Sequence, residues 1–113
     1  MTVVVHAEIH GLVGRAGELR ALLAEHAETT ARAPGCTRCE VYAPLGADPG
    51  EHLLVAWWND EPSLRAHYGS SEYGLYTTSV GELLARPSDV QIHYVERIVR
   101  ARGDASLDPT RQG

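Results

Sequence analysis

The sequence predicts an α+β fold of the ferredoxin-like, split β-α-β type, in which a four-stranded antiparallel sheet carries its helices on one face. The main observation is the order of the predicted elements, which is strand, helix, strand, strand, helices, strand. The length of 113 residues fits a single domain. The chain is 43% hydrophobic but has two Trp, five Tyr and no Phe, so we expect a core built mainly from Val, Leu, Ile and Ala.

The first strand and the first helix are predicted over residues 2–10 and 15–33. The segment TVVVHAEIH is rich in β-branched side chains and stops at Gly11, which is typical of a strand. The next segment repeats apolar side chains at helical spacing and ends at Pro34-Gly35. Its inward stripe is Leu19, Leu22, Leu23, His26 and Thr30. His26 is therefore either a hydrogen-bonded core histidine or part of a pocket.

Two further strands are predicted over residues 36–43 and 52–58, joined by a turn rich in Gly, Pro and Asp. Side chains alternate between the two faces of a strand, so Trp58 shares its face with Leu54 and Ala56. Trp57 points to the opposite face and is expected to lie at a subunit interface.

Two helices follow the tryptophans. Asp60 is a good N-cap for a short helix that runs to about Tyr68, and Ser70 or Ser71 can cap a third helix that closes at Arg86-Pro87. The side chains expected to turn inward from the third helix are Tyr73, Tyr76, Val80, Leu83 and Leu84.

The last strand is predicted over residues 89–99, so that the domain spans residues 1–99. The tail, residues 100–113, has no periodicity, and we expect it to be disordered or to pack on a partner subunit. The sheet face opposite the helices also carries apolar side chains. Pairing with a second copy would cover that face, so a homodimer is expected.

Charge and hydropathy exclude several classes of function. The net charge is -5 and no basic stripe forms, which argues against a nucleic-acid partner. No apolar run is long enough to cross a membrane, and no secretory signal is recognisable at the start. We therefore expect a cytoplasmic protein.

No metal site is expected from the histidines of the first strand. His6 and His10 are four residues apart, which on a strand separates them by ~13 Å. His10 and His52 are expected to be exposed strand ends. Glu8 is expected to form a salt bridge with Arg97 or Arg38, and the alternative is that it is an acid in the pocket.

Cys36 and Cys39 form a CxxC pattern that we interpret as two plain thiols. On a regular strand, residues three apart point to opposite faces and lie ~10 Å apart, too far for a disulfide. A redox or metal pair would require Cys36 to sit in the preceding turn instead.

The aromatic residues suggest a binding pocket as readily as a core. Trp58 lies beside the small Ala56, which leaves room for a ligand next to the large ring. Tyr73 and Tyr76 could line the same space, where a hydroxyl could bond a ligand oxygen. Plain packing remains an equal alternative for all three rings.

Several segments together resemble the antibiotic biosynthesis monooxygenase (ABM) domain family. They are VVVHAEI in the first strand, PGC followed by YAP around the second strand, and WWNDEPSLRAHYGSSEYGLY after the third. The most specific part is the capping residue after a strand-ending Trp, followed by Leu-x-x-His from Leu64 to His67. The resemblance covers about residues 2–96.

The resemblance implies a dimeric α+β barrel and a monooxygenase that needs no flavin, haem or metal. The expected substrates are dioxygen and a phenolic, anthrone or quinol-type aromatic compound that supplies the electrons itself. It also implies that His67 is the catalytic base and that Trp58 lines the pocket. We add Tyr73, Tyr76, Leu54 and His26 as substrate-binding candidates.

The chain departs from the polyketide-tailoring members of that family. Their Asn, Tyr and Arg positions correspond here to Leu54, Leu64 and about Thr78. The haem-degrading relatives use a histidine on the third helix, where this chain has about Thr77. Two alternatives to an oxygenase stay open, namely a polyketide cyclase or isomerase and a non-catalytic dimeric protein that binds aromatic ligands.

Overall fold

The computed structural model describes residues 1–101 and residue 103. Its elements are β1 (Thr2–His10), α1 (Ala16–Ala31), β2 (Cys36–Tyr42), β3 (Glu51–Trp58), α2 (Glu61–Tyr68), α3 (Ser71–Gly81) and β4 (Asp89–Val95). The strands form one sheet in the order β2-β3-β1-β4, and every neighbouring pair is antiparallel. The predicted fold class is confirmed for the protomer.

The core lies between the helices and one face of the sheet. β1 runs through the middle of the sheet, and its Val5 is opposite Ala56 of β3 on one side and Ile92 of β4 on the other. Because side chains alternate, the same face of β1 and β3 meets the helices. The fully buried side chains there are Val3, Ile9, Leu19, Leu23 and Trp58.

Both predicted capping residues begin their helices. The carboxylate of Asp60 accepts a hydrogen bond of 2.8 Å from the backbone N–H of Ser63 at the start of α2. The hydroxyl of Ser70 accepts one of 3.2 Å from the backbone N–H of Tyr73 at the start of α3. These caps satisfy backbone donors that the first helical turn leaves without a partner.

A tight turn at Gly35 fixes α2 against the end of β3. Gly35 has a φ of 85°, a conformation that glycine adopts most easily. Its carbonyl accepts a 2.8 Å hydrogen bond from the N–H of Asn59, and an added Cβ would lie 2.3 Å from the hydroxyl oxygen of Ser63. The turn after α1 thus packs directly onto the first turn of α2.

Two element boundaries were predicted wrongly. α3 ends at Gly81 rather than at Arg86-Pro87, because the chain after it bonds to the end of β1, where Ala85 N–H donates to the carbonyl of His10 over 2.8 Å. β4 ends at Val95 rather than at Val99, because Val95 already pairs with Thr2, the first residue of β1.

The prediction that Cys36 and Cys39 point to opposite faces was also wrong. The register between β2 and β3 shifts between Cys36 and Arg38, so Cys36 is opposite Trp58 and Cys39 is opposite Ala56. A bulge of this kind inserts one extra residue and lets both cysteines reach the core side of the sheet. Both thiols are free, and burial raises the pKa of Cys39 to about 12.

Two histidines predicted as exposed strand ends are buried. His10 is 8% exposed and His52 is 4% exposed. The predicted salt bridge between Glu8 and an arginine does not occur among residues 1–101. His10 is covered because Glu51 of β3, Asp89 of β4 and Arg86 of the preceding loop pack around its ring.

The helices leave part of the sheet uncovered. On the sheet face that carries the helices, the β4 side chains of Val90, Ile92 and Tyr94 are 51%, 41% and 53% exposed. None of the helices in the described chain is long and apolar enough to cross a membrane. The predicted tail, residues 100–113, lies outside the described residues except for 100, 101 and 103.

Candidate active site

A cavity of about 310 Å³ lies between the helices and the sheet. Its floor comes from β1 and β3, where Ala7 and Ala56 leave space beside the larger Leu54 and Trp58. All three helices contribute to its walls. The helical side chains that line it are His26, Thr30, Leu64, His67, Tyr68, Tyr73, Tyr76, Thr77 and Val80.

The walls form a cluster of six rings, in which five surround His67. Its ring centroid lies 5.0 Å from that of Trp58, 5.2 Å from that of Tyr73 and 5.9 Å from that of Tyr68. Across the cavity, His26 stacks on Tyr76 with centroids 3.5 Å apart and planes inclined by 7°. Flat, polarisable walls of this kind suit an aromatic ligand that stacks or packs edge to face.

Trp58 carries a hydrogen-bond donor without a partner. The side chain is 1% exposed, and its indole Nε1 is buried with no acceptor in the described structure. A buried donor left unsatisfied costs about 1–3 kcal/mol. An oxygen atom of a bound ligand would relieve that cost if it reached Nε1.

Both cavity histidines are held in the neutral form near neutral pH. Burial lowers the pKa of His26 to about 4, and the nearby His67 contributes to the same shift. Burial also lowers the pKa of His67, although the carboxylate of Glu72 opposes this effect. A neutral imidazole can accept a proton from a substrate, which an imidazolium cannot do.

The cavity tyrosines stay protonated at neutral pH. Burial raises the pKa of Tyr68 to about 12, and it raises the pKa values of Tyr73 and Tyr76 as well. Their hydroxyl groups can therefore donate hydrogen bonds to a ligand oxygen. The site combines proton acceptors and donors while no Asp, Glu, Lys or Arg from the described residues lines it.

The six residues proposed from the sequence all border this one cavity. They are Leu54, Trp58, His67, Tyr73, Tyr76 and His26. Sequence reasoning missed Val5 and Ala7 of the floor and Val90 at its open end. Alternation predicted which β1 residues share a face, but only the pairing of Val5 with Ala56 reveals that this is the face of Trp58.

A second cluster of ionisable groups lies away from the cavity. The ligand atoms of Glu8, His10 and Asp89 lie within 4.8 Å of one another, which is compact enough for a metal ion. However, His10 Nδ1 bonds Glu51 over 2.8 Å and His10 Nε2 bonds Asp89 over 2.9 Å. Both ring nitrogens of His10 are thus bonded to carboxylates, so we interpret the cluster as ion pairs of His10 with Glu51 and Asp89.

The sequence pattern of the antibiotic biosynthesis monooxygenase family matches residues 2–77, which is more than half of the chain. The chain belongs to this family. The match contains the six proposed site residues but ends before β4. The family pattern therefore covers the cavity residues of β1, β3, α1 and α2, and those of α3 as far as Thr77.

Named relatives of this ABM protein include Rv0793 of Mycobacterium tuberculosis, which is provisionally named a monooxygenase. It is 38% identical over 74 residues, covering 66% of this chain and 71% of Rv0793. The Rv0793 structure superposes with a TM-score of 0.78 and 31% identity, covering 88% of this chain and 100% of the other.

Two more distant structures share the fold of this ABM protein. An antibiotic biosynthesis monooxygenase candidate from Deinococcus radiodurans has a TM-score of 0.82 at 20% identity, covering 89% of this chain and 99% of the other. A variant of SnoaB, a cofactor-independent oxygenase from Streptomyces nogalater, has a TM-score of 0.77 at 17% identity. The match covers 88% of this chain and 98% of the other.

Proposed function

We propose that this ABM protein is a cofactor-independent monooxygenase that oxidises a phenolic, anthrone or quinol-type aromatic compound with dioxygen. The observation that carries the proposal is the cavity, where aromatic rings surround a neutral His67 and no charged side chain of the described residues is present. The name of SnoaB as a cofactor-independent oxygenase supports the same class of reaction.

The reaction would begin with proton transfer from the substrate to His67. For an anthrone, the resulting anion is electron-rich and passes one electron to dioxygen, which gives a substrate radical and superoxide. The two radicals form a carbon–oxygen bond, and the imidazolium of His67 returns its proton to the peroxide. Loss of water then leaves a carbonyl group. One oxygen atom enters the product, the other leaves as water, and the substrate supplies all the electrons.

The other cavity residues would hold the substrate during these steps. Trp58 and Tyr73 would offer ring faces and edges, and the indole Nε1 of Trp58, which has no partner among the described residues, would donate to any ligand oxygen that reached it. The volume of about 310 Å³ is at the small end of the ~300–1,000 Å³ range of ligand sites. The proposed substrate is thus a neutral compound of a few fused rings rather than a large or carboxylated one.

Oxygen uptake tests the proposal directly. The purified, metal-stripped protein is mixed with anthrones, naphthols and simple quinols, and uptake is compared with that of His67→Ala and Trp58→Ala. We expect uptake above the uncatalysed rate that falls in both variants, while Leu75→Ala on the exposed side of α3 leaves it unchanged.

A different result would favour one of the other functions. The same base and cavity could deprotonate a polyketone without oxygen, as a cyclase or isomerase would. Saturable binding of an aromatic probe without oxygen uptake would therefore refute the oxygenase. Conversion of a polyketone substrate would then distinguish a cyclase from a binding protein.

We also propose that the protein is a homodimer joined through the sheet face opposite the helices. That face presents Leu53, Val55 and Trp57 of β3, which the protomer leaves partly exposed, beside Val4 of β1. Sedimentation velocity should give a dimer for the wild type and a monomer for Trp57→Ser. Leu75→Ser, on exposed α3, should remain dimeric, and a monomeric wild type would refute the interface.

A further inference from the structure

Two clefts border the outer side of the cavity wall. The first, of about 360 Å³, lies between α1 and α3 and is lined by Glu25 and Leu75 among others. The second, of about 500 Å³, lies beside the end of α1 and the turn between α2 and α3, and Arg32 and Ser70 help to line it. We refer to them as the α1–α3 cleft and the α1–α2 cleft.

His67 borders the cavity and both clefts. Glu72 borders both clefts but not the cavity. The two residues therefore line the same two clefts, and of the two only His67 also borders the space for the substrate. No hydrogen bond joins them within residues 1–101, so Glu72 acts on His67 through its charge.

The proton transfer proposed above creates a positive charge on His67 that is offset by the substrate anion but by no side chain of the described residues that line the cavity. On the cavity side, the titratable neighbours of His67 are His26, Tyr68 and Tyr73, all of which are neutral near neutral pH. An imidazolium formed against neutral walls is unfavourable unless a negative charge lies close by. Besides the substrate anion, a carboxylate that lines the clefts can supply such a charge.

Three charged side chains line the clefts that His67 borders. They are Glu25 of α1, Arg32 just after the end of α1, and Glu72 of α3. Arg32 already forms an ion pair with Glu28. Glu72 forms no ion pair in the described part of the chain, and its carboxylate is the charge that raises the pKa of His67 against the effect of burial.

We propose that Glu72 is a positioning residue, which stabilises the imidazolium of His67 from outside the cavity while the substrate side stays free of charge. This inference rests on the proposed function, since it assigns His67 as the base. The proton still moves from the substrate to His67 and back to the peroxide, and Glu72 exchanges neither protons nor electrons with the substrate.

Glu72 also has a structural role, which the test must distinguish from its effect on His67. It lies in the first turn of α3, where a carboxylate is favoured by the helix dipole. Glu72→Gln would therefore destabilise α3 slightly even without any coupling to His67. Glu72→Asp keeps the charge at nearly the same place, and Glu25→Gln removes a charge from the same α1–α3 cleft without changing α3.

The first measurement is an NMR titration of His67 in the substrate-free protein. We expect a lower pKa for His67 in Glu72→Gln, a value near that of the wild type in Glu72→Asp, and no change in Glu25→Gln. Added salt should narrow the difference between the wild type and Glu72→Gln, because it screens a charge at the surface. An unchanged His67 titration in Glu72→Gln would overturn the proposal.

The second measurement is the pH dependence of oxygen uptake. In Glu72→Gln the acidic limb of kcat/KM should move to lower pH, and kcat should fall about three- to tenfold, less than the ~100-fold or more expected for loss of the base itself. Unchanged kinetics despite a shifted His67 pKa would refute the role in catalysis. A shifted pKa together with a wild type that oxidises no substrate would refute the oxygenase but not the coupling.

Discussion

The two cavity histidines and His10 differ in the protonation that their surroundings impose. In the cavity, His26 and His67 contact aromatic rings, and burial lowers the pKa of each. At the edge of the sheet, hydrogen bonds from His10 to Asp89 and Glu51 raise its pKa. Burial alone therefore does not determine the charge of an imidazole, because the groups on its two nitrogens decide whether the proton stays. The cavity histidines suit proton transfer, and His10 suits an ion pair that persists until the pH rises through its raised pKa.

Replacing His67 should give the largest effect on activity. We expect His67→Ala to reduce kcat/KM for the best aromatic substrate by ~100-fold or more, the range for loss of a general base. His67 is half-buried at the cavity wall, so the variant should stay folded, which circular dichroism can check. His10→Ala is the matched control, since His10 lies outside the cavity and should keep most of the activity. Equal losses in the two variants would contradict the division of roles.

Replacing His10 should give the larger effect on stability. His10 joins β1 to β3 through Glu51 and to β4 through Asp89, and Arg86 lies 3.2 Å from its Nδ1. Hydrogen bonds between charged groups contribute about 1.5–3 kcal/mol, and the exposure of Asp89 reduces its share. We expect the free energy of unfolding of His10→Ala to fall by about 2 kcal/mol, measured by urea denaturation.

The control for that measurement is Asp89→Asn, which removes one carboxylate but keeps His10 bound to Glu51. Its loss of stability should be smaller than that of His10→Ala, because Glu51 is the less exposed of the two partners. A larger loss in Asp89→Asn would mean that the carboxylate, and not the imidazole, links the strands.

The elements of the fold could be predicted from local sequence patterns. Asp60 and Ser70 begin their helices as expected, because capping depends on a side chain and a backbone only three residues apart. The end of α3 could not be predicted in this way. It depends on Ala85 bonding to the carbonyl of His10, which is far away in the sequence.

The cavity residues and the His10 cluster differ in how far the sequence reveals them. Trp58 and His67 are close in the sequence, and alternation and helical spacing direct them to one side. His10 meets Glu51 and Asp89 only because β3 and β4 pair with the same end of β1. In the sequence, His10 is only a polar residue at the end of a predicted strand. The carboxylates of Glu51 and Asp89 reach it only through the strand register. Glu72 was missed because its role depends on the clefts between helices.

The cavity histidine His26 and the strand-end histidine His10 should also give opposite pH dependences of stability. The pKa of His10 is raised in the folded state, so its contribution is fully present below the unfolded value of about 6.5 and is lost as the pH rises through the folded value. The pKa of His26 is lowered to about 4, so the folded state loses stability as the pH falls from about 6.5 towards that value.

His26→Gln should flatten the acidic limb of a plot of unfolding free energy against pH, and His10→Gln should flatten the alkaline limb. If His26→Gln altered the alkaline limb instead, the cavity would be charged, and a neutral base there would be ruled out.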